Sequence, residues 1–187
     1  GGIHKNDKVD PDIAIFGKTL GNGYAINAVI GKKSVMEAAQ STFISSTFWT
    51  ERVGPTAALK TLEVMEKIQS WEIITNIGLK VRENWKKISQ SHNIPITIYG
   101  IPALSGFTFD YDNTKILETL FTQEMLKKGY LAGTFLYTCI EHKSHILKDY
   151  FSAVDEAFIV IKKNIENPNI IDLLEGPVAH SSFTRIN

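Results

Sequence analysis

One lysine carries the clearest chemical signal in the chain. The apolar run Ile13-Ala14-Ile15-Phe16 ends in Gly17-Lys18 and passes at once into the glycine-rich stretch Gly21-Asn22-Gly23. A strand over the run would deliver the Lys18 amine at its end, beside backbone with little side-chain bulk. An amine held partly out of water has a lowered pKa and becomes a nucleophile toward carbonyls, the chemistry of a Schiff base. The residues alone also fit a plainer account. Lys18 would then be a solvated surface charge, and Gly21 and Gly23 would simply make a turn, since glycine accepts positive φ at no steric cost.

The elements that must position Lys18 can be read from the pattern. Ile13–Phe16 and Ala25–Ile30 are continuous apolar runs, as in strands buried on both faces. Lys33–Gln40 is a short helix with Ser34 as its cap, and Thr42–Trp49 is irregular or extended. Pro55 suits an early helix position, where its missing N–H costs nothing. Ala58, Leu62, Met65 and Ile68 then recur at helical spacing. Ile74, Ile77, Val81, Trp85 and Ile88 mark a second helix, with the break at Ser70. Ile94–Tyr99 and Ala103–Asp110 read as strands of a half-exposed sheet. Thr114–Lys128 is an amphipathic helix closed by Gly129 at C′. Tyr130–Ile140 is a further strand region interrupted by Gly133, and Ser144–Lys163 is the last helix. The tail from Asn164 reads as mostly loop. Residues 1–69 thus belong to a sheet domain that they only partly build, and residues 70–187 form a smaller α/β unit.

Composition narrows the classes of function. The chain has 187 residues, 43% hydrophobic and 21% charged, with twenty basic residues against twenty acidic ones. A balanced charge gives no reason to expect nucleic acid or a membrane surface as partner. No apolar run approaches the length of a membrane span and no signal peptide is visible, which fits a cytoplasmic protein. The single cysteine, Cys139, rules out an intrachain disulfide and reads as a small buried hydrophobe. His142 and His145 are three apart, but no acidic or cysteine partner joins them at metal-ligand spacing, so no metal site is expected. His180 carries only a weak suggestion of a subunit contact. Gly21-Asn22-Gly23 lacks the third glycine of a dinucleotide fingerprint.

The stretch Pro11–Met36, PDIAIFGKTLGNGYAINAVIGKKSVM, resembles the lysine segment of class III pyridoxal-phosphate aminotransferases, closest to the glutamate-1-semialdehyde aminomutase-like branch. A second block, Ser45–Leu59, falls where that family has a threonine turn followed by an Ala-rich helix. The family more often shows Gly-Asn-Pro in the turn; this chain has Trp49-Thr50-Glu51-Arg52. The resemblance continues to the C-terminus. It implies fold type I, with 1–69 as the C-terminal part of the cofactor-binding large domain and 70–187 as the small C-terminal α/β domain. Lys18 would hold pyridoxal phosphate as a Schiff base and then shuttle a proton between substrate and cofactor. Thr47 would reach the cofactor phosphate of the neighbouring subunit, with Thr50 a weaker substitute and Arg52 a candidate for a substrate carboxylate.

The same resemblance implies a homodimer acting on a small-molecule amino donor and a carbonyl acceptor. Its carboxylate for the pyridine nitrogen, its phosphate loop and its ring-stacking aromatic all lie upstream of the lysine. With Gly1 in place of a start methionine, the chain then reads as the C-terminal part of a longer protein, inactive or nearly so by itself. Two alternatives stand beside an aminotransferase. One is an aminomutase. The other is a truncated homologue without catalysis, serving as a dimerisation module. The Phe48–Arg52 turn also resembles members acting in sugar or surface-polysaccharide pathways.

Overall fold

The computed structural model describes residues 2–5, 7–45 and 47–180. The chain separates into two compact units, residues 1–69 and 70–187. In the first, β1 (Ile13–Phe16) pairs antiparallel with β2 (Ala28–Gly31), Ile13 opposite Gly31 and Phe16 opposite Ala28. The connection between them is a series of tight turns through Lys18–Tyr24. A short helix α1 (Lys33–Met36) continues into a 3-10 turn to Ser41, and the long helix α2 spans Val53–Ile68.

Three features of this unit depart from the sequence reading. Ile15 is 74% exposed and Val29 51% exposed, so the apolar runs are not covered on both faces. The physical reason is that the ribbon among the described residues has only two strands, with alternate residues of β1 facing solvent. Strand β2 also starts at Ala28 rather than Ala25. Ser34 lies inside α1, whose N-cap is Lys32 with no side-chain cap.

The second unit has the larger core. Helix α3 (Ser70–His92) begins directly after Gln69, which ends α2 in the left-handed conformation (φ 52°, ψ 49°). Strands β3 (Ile96–Ile101), β4 (Leu104–Phe109) and β5 (Phe135–Tyr137) form an antiparallel sheet in the order β3-β4-β5. Helices α4 (Thr114–Lys127) and α5 (Ser144–Asn164) complete the unit. Phe107 is fully buried, with Trp85, Phe121 and Phe109 edge-on to it at centroid distances of 5.0, 5.4 and 5.5 Å. Trp85 Nε1–H donates to the Tyr150 hydroxyl at 3.0 Å, and burial pushes that phenol well above its ordinary pKa. His92 at the end of α3 meets Asp155 of α5 at 2.7 Å.

Helix α4 ends in a Schellman motif. Gly129, at φ 83°, donates to Leu126 O at 2.9 Å, and Tyr130 donates to Met125 O at 3.0 Å. The tail, described as far as residue 180, is mostly loop, as its composition suggests, apart from one short turn. That 3-10 turn spans Ile170–Leu173, with Ile170 buried. Gln123 then holds it at both ends of the side-chain amide, donating to Leu173 O at 3.0 Å and accepting from Glu175 N at 2.8 Å. Cys139 is exposed, because β5 stops at Tyr137 and the thiol falls in the following turn. No helix among the described residues is long and apolar enough to cross a membrane.

Gly78 makes one packing argument testable. It is buried in α3, and a Cβ there would lie 1.8 Å from Pro102 O, in the β3–β4 turn. Gly→Ala in a free helix gains about 1 kcal/mol of propensity. Here the obstacle is backbone, so the clash wins. Gly78→Ala is expected to destabilise the protein by roughly 1–3 kcal/mol. A rise in the thermal midpoint would show that the helix and turn do not make this close approach.

Candidate functional site

Lys18 lies two residues past the end of β1, after Gly17. Its backbone is left-handed (φ 48°), an uncommon state for a residue other than glycine. Turns on either side hold it there. Leu20 N donates to Gly17 O and Asn22 N to Lys18 O, both at 3.2 Å. Gly21 is needed for close contact with backbone, and Gly23 for its positive φ of 106°. A Cβ on Gly17 would lie 2.3 Å from Asn27 Oδ1, and one on Gly21 would lie 2.1 Å from Tyr24 O. Strained backbone of this kind is costly and persists where its surroundings over-determine it, often at functional sites.

The Lys18 side chain is exposed, not half-buried as the strand-end position suggested. It lies at the side of an open cleft of about 670 Å³, lined also by Tyr24, Asn27, Thr47, Trp49 and Glu51. No hydrogen bond or ion pair engages its amine among the described residues. Lys32 provides the contrast. Its ammonium lies 3.0 Å from both Asp10 and Asp12, whose hydrogen bonds raise its pKa.

Thr47 lies in the same cleft as Lys18, in the turn ahead of α2. Thr50 and Arg52 are exposed and do not line it. His142 is engaged locally, its Nδ1 accepting from the Cys139 N–H at 3.2 Å. No group of three His, Cys, Asp or Glu side chains among the described residues could hold a metal ion.

Glu51 is the residue that the sequence reading passed over. One carboxylate oxygen accepts from Val53 N, and the other accepts from Gly54 N at 3.0 Å. The N-cap residue, Arg52, makes no side-chain cap. Pro55, third in the helix, has no N–H. Thr56 N already donates to Arg52 O at 3.0 Å. Glu51 therefore satisfies the two remaining donors of the first turn. The Val53 and Gly54 N–H groups are thus already taken by Glu51. An acidic residue just before a helix start is the signal that could have pointed to it.

A family model for class-III aminotransferases matches residues 3–160. The chain belongs to the class-III aminotransferases, a family whose cofactor is pyridoxal phosphate. It is 30% identical over 169 residues to the 3-aminobutyryl-CoA aminotransferase of Cloacimonas acidaminovorans (strain Evry), covering 87% of this chain and 41% of that protein. It is 28% identical over 169 residues to glutamate-1-semialdehyde 2,1-aminomutase 2 of Staphylococcus haemolyticus (strain JCSC1435), covering 80% and 39%. Among solved structures, the pyridoxal-phosphate internal aldimine form of the FumI protein of Sphingopyxis sp. MTA144 superposes with a TM-score of 0.80. That match has 22% identity and covers 88% of this chain and 40% of that one. The fold is thus the α/β fold of type I pyridoxal-phosphate transferases. The chain spans about two-fifths of the length of the curated relatives it matches, 41% and 39% for the two named.

The residues present fit the family cofactor. Lys18 would offer its aldehyde a primary amine that is unpaired among the described residues, and Thr47 would offer a hydroxyl to a phosphate. The coil through Gly17 and Gly21 is packed closely enough to fix where that amine begins.

Proposed function

We propose that the protein is a pyridoxal-phosphate-dependent aminotransferase acting on a small-molecule amino donor and a carbonyl acceptor. The observation that carries this reading is the Lys18 amine, unpaired among the described residues and lining an open cleft just past the end of β1. Residues 1–69 would be the C-terminal part of a cofactor-binding large domain and residues 70–187 the small C-terminal domain. Bound in the cleft, pyridoxal phosphate would supply the electron sink that allows a proton to leave the substrate carbon. Lys18 Nζ would hold the cofactor covalently and, once displaced by the amino donor, carry that proton as a general base. A base so placed typically contributes about 10²–10⁴-fold. The Thr47 hydroxyl would donate to the cofactor phosphate, in a homodimer from the neighbouring subunit.

The test is product analysis on the protein at its full natural length, with and without an external amino acceptor. Amino transfer that requires the acceptor supports the reading. Rearrangement of a single substrate without an acceptor would point to an aminomutase instead, and no amino-group chemistry with any donor would favour a dimerisation module. Thr47→Val removes the hydroxyl at nearly constant shape. A hydrogen bond to a charged group is worth about 1.5–3 kcal/mol, so its loss should weaken cofactor binding by roughly 10–100-fold. Titration of the apoprotein with cofactor, followed by absorbance, measures this; an unchanged Kd removes Thr47 from the site.

A further inference from the structure

We infer that the tail is a strap: residues 173–179 lie closed along α4 and open as one piece while the rest of the second unit stays folded. This does not depend on the function proposed above. Thr119, Gln123 and Lys127 recur every four residues and so share one face of α4. Each of them engages the tail. The Gln123 amide donates to Leu173 O at 3.0 Å and accepts from Glu175 N at 2.8 Å. The Thr119 hydroxyl oxygen accepts from Ala179 N at 3.0 Å. The Lys127 ammonium lies 2.9 Å from the Glu175 carboxylate. Tail numbers rise as helix numbers fall, so the strap runs back along α4 toward its start.

The balance of forces makes this opening local. Ile170 is buried in the core and Leu174 packs half-buried against it. Past Leu174 the hold is mainly polar. Glu175, Gly176, Pro177 and Ala179 are exposed, and Val178 is half-buried. A Cβ added at Gly176 would meet nothing within 4 Å. A groove of about 320 Å³ remains against the helix, lined by Thr122, Leu126, Glu175 and Ala179. A hydrogen bond made in water returns about what fixing one residue's backbone costs. An exposed ion pair returns less. The polar contacts therefore do little more than balance the ordering of the strap, with little buried apolar surface in reserve. Its opening lies far below the cost of unfolding the core.

Native-state hydrogen exchange on the full-length protein, read residue by residue, tests this with wild type, Gln123→Ala and Thr119→Val. The reporters are the amides of Glu175 and Ala179. Val154 and Phe158, both fully buried in α5, give the core reference. In wild type both strap amides should exchange more slowly than in an unstructured chain, yet at least about 100-fold faster than the reference. Gln123→Ala removes the contacts of Leu173 and Glu175 and touches nothing on Ala179. It should nonetheless speed exchange at Ala179 by roughly five- to tenfold, the worth of one hydrogen bond, and leave the reference unchanged. Thr119→Val removes the acceptor of Ala179 N and should speed Glu175 by a similar factor. Acceleration confined to the amide that lost its partner overturns the strap, since the contacts then open one by one. Equal acceleration of strap and reference amides also overturns it, because the tail then opens only with the core. So does exchange of both wild-type strap amides at the unstructured rate, which would mean that the tail is not latched in solution. If one variant fails to fold, the other gives the same reading.

Discussion

Lys18→Ala is expected to leave a folded protein that no longer holds pyridoxal phosphate covalently and has lost its amino-transfer activity. The side chain is exposed and engages no partner among the described residues, so its removal should cost the fold little. Any loss would be chemical. Without the amine there is no covalent attachment and no base at that point, and the base alone is worth about 10²–10⁴-fold. Lys18→Arg separates charge from chemistry. The guanidinium stays protonated at all working pH values and is no nucleophile or base. It should be as inactive as alanine while keeping the positive charge. Activity of either variant within a few-fold of wild type would show that another group does the work. The thermal midpoint is the control, and it should stay near the wild-type value.

The second large effect concerns stability. Phe107→Ala should destabilise the protein by about 3–5 kcal/mol, the usual range for deleting a buried phenyl ring. Phe107 is fully buried and shares edge-on contacts with three aromatic rings. Its neighbours come from α3, β4 and α4, each held by its own backbone bonds, so they cannot collapse into the space left. Against a typical total of about 5–15 kcal/mol, that is a large share. Denaturant unfolding reads it as a shift in midpoint at constant slope. A loss under about 1 kcal/mol would mean that the core repacks around the gap.

Periodicity located the long elements of the second unit because burial there follows local pattern. Trp85 and Val81 in α3, and Phe107 and Phe109 in β4, lie on faces that repeat at helical and strand spacing. Gly129 marked the end of α4 because glycine suits the left-handed C′ position. The end of α2 had no such mark, since Gln69 takes the same backbone conformation without being a residue type that favours it. The docked tail was also illegible. Its hold comes from α4 side chains, the Gln123 amide, the Thr119 hydroxyl and the Lys127 ammonium, reaching far along the sequence, and no local pattern records such contacts.

The site divides in the same way. Lys18 stood out because Gly-Lys after an apolar run is a chemical signal in itself. Its exposure was not legible, because burial of a side chain depends on what the rest of the assembly places around it. Ile15 misled for a related reason: a continuous apolar run suggests two covered faces, and the two-stranded ribbon covers neither fully. Glu51 was hidden by expectation. It stands in a turn where the family shows a different tripeptide, and its role is visible only once its oxygens are seen on two backbone donors.

The most direct test is borohydride reduction of the full-length protein in the presence of pyridoxal phosphate, followed by peptide mapping. The account predicts a pyridoxyl group fixed on the peptide that contains Lys18, at Nζ, and on no other lysine. Stable labelling at a different lysine, or none under conditions where the protein is folded, would contradict it.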